Sequence, residues 1–130
     1  MINKATILGY VGKKDFKTTK TGTQLCQLSV ATNKKYIDSQ GYKKNITTWH
    51  NINFFGRIAE VANKYALVGE LVYIEGEINN KKIDENGVIK MIHSITGCDI
   101  KVLHIKNKEN KLLNENDNIG NMINEDLINE

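Results

Sequence analysis

Residues 48–69 decide the fold: Thr48-Trp49-His50-Asn51-Ile52-Asn53-Phe54-Phe55-Gly56, then Arg57-Ile58-Ala59-Glu60-Val61-Ala62-Asn63-Lys64-Tyr65-Ala66-Leu67-Val68-Gly69. The first part alternates with period two, as in a strand that buries one face. His50, Ile52 and Phe54 fall on a core side, and Trp49, Asn51, Asn53 and Phe55 on the other. The second part has a helical period. Ile58, Val61, Ala62 and Tyr65 recur at i, i+3, i+4 and i+7, predicting a helix over 57–68. Gly69 is suited to end it in the left-handed conformation.

Outward from this segment the chain reads as strands. Residues 24–33 set Cys26, Leu28, Val30 and Thr32 against Gln27 and Ser29. Residues 71–78 set Val72, Ile74 and Ile78 against Tyr73, Glu75 and Glu77. A further strand runs over 88–105, broken near Gly97, and residues 3–11 open the chain as another. There Gly9 and Gly12 mark bulges or a tight bend. Three strands, one helix and two strands predict an all-β, five-stranded OB-fold barrel with its helix between strands 3 and 4.

Three polar stretches, 13–23, 34–47 and 79–87, are expected to be long loops. After residue 106 the composition turns to Asn, Lys and Glu without strand pattern. Residues 1–106 therefore form the expected domain and 107–130 a flexible, disordered acidic tail. Charge divides at the same place. Sixteen Lys and Arg face nine Asp and Glu in 1–106, and two face six in 107–130. A basic body with an acidic tail fits a binder of polyanions. The start, Met1-Ile2-Asn3-Lys4, has no long apolar stretch, so a cytoplasmic protein without a membrane segment is expected. Cys26 and Cys98, the only cysteines, are expected to be reduced and packed in the core.

Two aromatic rings on a solvent-facing strand call for an explanation. One alone reads best as packing beneath a loop or a neighbouring subunit. Trp49 and Phe55 together, flanked by lysines, shift the reading toward stacking of flat, apolar bases, worth roughly 1–3 kcal/mol each. The lysines come in pairs at loop starts or tips: Lys13-Lys14, Lys34-Lys35, Lys43-Lys44 and Lys81-Lys82. Tyr36 follows one pair and Tyr42 precedes another, so rings and charges interleave as a phosphate backbone with bases requires.

Catalytic patterns are absent from the sequence. Gly9-Tyr10-Val11-Gly12 is too short for a phosphate loop, and His50, His93 and His104 lack metal spacing with either cysteine. Asp84 with Glu85, and Glu75 with Glu77, read as solvated acids. A nuclease would need them to converge with others.

The order of motifs resembles the bacterial single-stranded DNA-binding protein family. The matching pieces are Asn3-Lys4, Leu8-Gly9, Val11-Gly12, Ser29-Val30-Ala31-Thr32, Thr48-Trp49-His50, Phe55-Gly56-Arg57-Ile58-Ala59-Glu60-Val61, and Gly69 with Val72-Tyr73-Ile74-Glu75-Gly76. The resemblance implies a homotetramer that wraps single strands without strong sequence preference, protecting them in replication, recombination and repair. It implies no catalysis, no cofactor and no metal, and a cytoplasmic, nucleoid-associated setting. Trp49, Phe55 and Tyr36 fall where the family stacks bases. Lys4, Lys13, Lys14, Lys34, Lys35, Lys43, Lys44, Arg57, Lys81 and Lys82 are the candidate phosphate contacts, and His50 and Tyr73 fall in regions of subunit contact.

Three departures accompany the resemblance. Ile83 stands where the family often has another tryptophan, and the 12–22 loop is one residue short and lacks proline. The terminus, Asn124-Glu125-Asp126-Leu127-Ile128-Asn129-Glu130, differs from the acidic, apolar-tipped tail by which the family engages replication and repair proteins. Glu125, Asp126, Leu127 and Ile128 are the candidate docking residues of a degenerate tip; the other readings of the segment are an amphipathic one with Ile119, Met122, Ile123 and Leu127 on one helical face, or no specific role. The alternatives are a primosomal OB adaptor, against which the acidic tail argues, and an RNA-binding OB module.

Overall fold

Period-two patterning generates five strands around one helix in the computed structural model, which describes residues 1–103: β1 Ala5–Thr18, β2 Gln24–Ile37, β3 Lys43–Phe55, α1 Arg57–Tyr65, β4 Leu71–Glu85 and β5 Val88–Leu103. The strands close into a barrel in the order β1-β2-β3-β5-β4. Strand β1 serves two neighbours. Its first half pairs with β4, from Ala5↔Gly76 to Tyr10↔Leu71, and its second half with β2, from Tyr10↔Ala31 to Thr18↔Gln24. A short parallel contact, Ile52↔Ile95 and Asn53↔Thr96, completes the ring.

The core is the inward set of these strands: Val11, Cys26, Leu28, Val30, Ile52, Phe54, Val72 and Ile74. Each of the larger side chains contributes about 1.5–3 kcal/mol by leaving water. Phe54 is fully buried and lies against Gly97, where any β-carbon would strike its ring. The expected break near Gly97 is a local one. The ladder passes from Glu75↔Asp99 to Gly76↔Gly97, leaving exposed Cys98 as the extra residue of a bulge. Cys98 therefore departs from the expected core position, whereas Cys26 is buried; both are free thiols.

Two of the expected loops are β-ribbons. β2 and β3 pair from Leu25↔Phe55 out to Ile37↔Lys43, so 34–47 is an arm with a short tip. At that tip Asp38 Oδ1 accepts from the amides of Gln40 (2.9 Å) and Tyr42 (2.8 Å). β4 and β5 pair out to Glu85↔Val88 around Asn86 (φ 53°) and Gly87 (φ 84°), a two-residue turn with positive φ at both positions. Much of 13–23 is also strand, leaving a turn around Gly22. Ile78, expected on the buried face, is 54% exposed because β4 has left the barrel there.

The helix is shorter than predicted and turned. It ends at Tyr65, and Ala59 and Ala62, with Ala66 just beyond it, form the buried stripe; Val61 and Tyr65 face outward. Close seating on the barrel admits small side chains, so alanines displaced the larger apolar residues from the inner face. Gly69 does not stop the helix. Its amide donates to the Val11 carbonyl (2.8 Å), fastening the connection to β1.

Candidate nucleic-acid interface

The paired β2 and β3 run without a bulge, so strand parity assigns every side chain on their ribbon to a face. Trp49, Asn51, Asn53 and Phe55 share the outer face with Lys43, and across the ladder with Gln27, Ser29 and Lys35. Trp49 is 57% exposed and Phe55 45%. They stand six residue steps apart along the strand, roughly 20 Å. Tyr36, 41% exposed, lies on the opposite face with Lys34 and Lys44. The structure thus brings Trp49 and Phe55 together and sets Tyr36 around the ribbon from them.

A bulge in β1 fixes what lies beside these rings. The register passes from Val11↔Val30 to Lys13↔Ser29, with Gly12 as the extra residue, so residues beyond it exchange faces. Gly12 therefore marks the bulge that its sequence position indicated. Lys13 and Asp15 turn outward, next to Ser29 and Gln27. Lys14 turns the other way, and its ammonium donates to the Asn63 carbonyl (2.8 Å) near the end of α1. There it satisfies a helix-terminal acceptor.

The outer face consequently has two polar rows between its aromatic ends, Asn51–Ser29–Lys13 and Asn53–Gln27–Asp15. These six residues border a shallow groove of about 200 Å³. Gln27 Nε2 donates to Asn53 Oδ1 (3.1 Å) across its floor. On the other side of Trp49 a second cleft, also about 200 Å³, opens where the two arms diverge, with His50, Ile78, His93 and Ile95 in its walls. His50 is held by Thr32 Oγ1 (2.9 Å) and His93 by Asn80 Oδ1 (2.7 Å).

The remaining candidates are scattered. Lys81 and Lys82 are exposed on the β4 side of the second arm, and Ile83 is half-buried opposite Lys90. Arg57 is exposed at the first position of α1. Lys44 stands 4.0 Å from Asp38. Lys4 stands 3.8 Å from Glu75, at the β1–β4 seam. There Tyr73 Oη donates to the Glu75 carboxylate, which holds that carboxyl below its ordinary range, with the Lys4 charge adding to the effect. The same bond, helped by desolvation, holds the Tyr73 phenol above its own range. The tail residues Glu125, Asp126, Leu127 and Ile128 lie outside the described residues. Among the described residues no cluster of three His, Cys, Asp or Glu could hold a metal ion, and no helix is long and apolar enough to cross a membrane.

Lys13, a candidate phosphate contact from the sequence, does stand beside the aromatic pair; sequence reasoning missed Asp15, Gln27 and Ser29 as its neighbours, although Gln27 and Ser29 fall on the side of their strand that parity assigns them. The bulge glycine was the available signal.

Comparison with known proteins follows the barrel. The model of the single-strand binding protein family matches residues 2–103. The chain belongs to the single-strand binding protein family. The single-stranded DNA-binding protein of Neisseria meningitidis serogroup A is 31% identical over 109 residues, 82% of this chain and 63% of the relative. That of Xanthomonas campestris is 34% identical over 104 residues, 78% of this chain and 60% of the relative. The chain thus matches somewhat under two thirds of the length of these curated relatives. A Plasmodium falciparum SSB solved in complex with ssDNA superposes with a TM-score of 0.73 at 29% identity, over 79% of this chain and 96% of that one. The single-strand binding protein family match takes in the barrel from β1 to β5, including both arms.

Proposed function

We propose that this chain binds and protects single-stranded DNA without catalysis, stacking bases on Trp49 and Phe55 and pairing lysines with the backbone. The observation that carries the reading is the shared outer face of β3. Two half-exposed rings bracket it, and Lys13, Lys35 and Lys43 stand on the same side. Aromatic platforms accept any base, and lysines along a path replace counterions on phosphates. Family membership and the likeness to a DNA-bound relative support the reading. Tyr36, Lys34 and Lys44 extend the path around the arm.

The function extends to replication, recombination and repair, with the protein cytoplasmic and nucleoid-associated. It acts as a homotetramer with His50 and Tyr73 near subunit contacts. Residues 107–130 serve as the docking tail for partner proteins. Sedimentation of the full chain tests the assembly.

The direct test of function is competition against a bound, labelled single strand. Unlabelled single-stranded DNA should displace it and duplex should not. Equal displacement by RNA would favour an RNA-binding module, and failure to bind any strand would leave an adaptor.

A further inference from the structure

The cleft where the two arms diverge differs in kind from the groove on the other side of Trp49. Ile78, Ile95, His50 and His93 stand in its walls, and its lining includes no lysine or arginine. It therefore holds no fixed positive charge for a phosphate. Strand edges are open here as well. β3 meets β5 only at Ile52↔Ile95 and Asn53↔Thr96, so toward the arms the facing edges of both strands have no ladder partner. Apolar walls and open edges suit polypeptide better than a nucleic-acid backbone.

The chain itself carries a matching feature. The Asn3 side-chain amide donates to the Ile78 carbonyl and its Oδ1 accepts from the Ile78 amide, both at 3.0 Å. This double bond fastens exposed Ile2 beside the cleft wall. A cleft with an apolar projection next to it is what a two-fold contact between identical copies uses, since each copy gives and receives the same groups.

Two imidazoles make such a contact sensitive to protons. Thr32 Oγ1 holds the half-buried His50 ring, and Asn80 Oδ1 accepts from Nδ1 of exposed His93, leaving Nε2 to take up a proton. The charged groups on the same faces are Lys34 and Lys44 along β2 and β3 and Lys82 along β4, with no carboxylate nearer than Asp84. On β1, Lys4 is turned away to Glu75. A proton in the cleft thus meets no acid, and a second copy seated over it has to expel it.

Resting on the assembly reading, we infer that this cleft seats a second copy of the chain and releases it in acid, with His50 and His93 as the proton-sensing pair. Sedimentation equilibrium of the full chain at pH 8 and pH 5.5, at one ionic strength, tests it. Imidazoles as a class titrate near 6.5, so each one that must be neutral in the contact weakens association about 10-fold at pH 5.5. The wild type should lose at least that factor. His93→Gln and, independently, His93→Thr should remove much of the loss, whereas His104→Gln should leave it in place. Equal association at both pH values, or a loss unmoved by either change at His93, would overturn the inference and leave assembly standing. A monomer at pH 8 would overturn the assembly reading and this inference with it, without touching single-strand binding.

Discussion

The ring of Trp49 lies over Gly12, its Cη2 2.7 Å from where a β-carbon at residue 12 would stand. The bulge glycine and the exposed indole are thus one device. Gly12 turns β1 and also leaves room for the ring beside it. Gly12→Ala should push the free edge of the indole outward while the barrel survives. Tryptophan emission should shift, and single-strand affinity should fall by up to the roughly 1–3 kcal/mol of one stacked base. Unchanged emission and affinity would separate the two residues.

Gly97 and Phe54 make the opposite case, because the ring there is fully buried and cannot swing away. Gly97→Ala should cost about 1–3 kcal/mol of stability by overpacking. Urea denaturation would show it as a lower midpoint with little change in slope. A wild-type midpoint would mean that the barrel opens at this seam without cost.

Lys14 and Lys35 separate structural from electrostatic lysines. Lys35→Ala should lower the slope of log affinity against log salt by about 0.7, one phosphate's worth on a single strand. Lys14→Ala should leave that slope alone and instead lower the melting temperature, since it frees the Asn63 carbonyl. The reverse pattern would exchange their roles.

Tyr73 and Glu75 predict a pH signature. Glu75 has a folded pKa below its unfolded one, so its contribution is full above the unfolded pKa and is lost as pH falls through the folded value. Tyr73 is shifted upward, so its contribution is full below its unfolded pKa and is lost as pH rises through the folded one. Tyr73→Phe should raise the Glu75 midpoint, read by carboxyl NMR, toward the ordinary glutamate value of about 4.3. An unmoved midpoint would show that the phenol does not donate to this carboxylate.

Legibility followed burial. Where one face of a strand enters the barrel, alternation gave Cys26, Leu28, Val30, Ile52 and Phe54 their places, and with them the exposure of Trp49 and Phe55. Where a ribbon is wet on both faces, as beyond Asn33 and Ile78, polar residues fill both sides and the period disappears. The Asn86-Gly87 pair was the remaining hairpin signal there. In the helix, alanines at 59, 62 and 66 were outweighed by larger neighbours that face water. The Asp15 row depended on a one-residue bulge that exchanges faces, and its register becomes explicit only when β1 is laid against β2.

The most direct measurement is the fluorescence of Trp49, the single tryptophan, titrated with a single-stranded oligonucleotide at several salt concentrations. Base stacking at this ring predicts strong, saturating quenching that survives excess duplex and weakens as salt rises. Binding detected by gel shift without any change at Trp49 would contradict the site, and no binding at all would contradict the function.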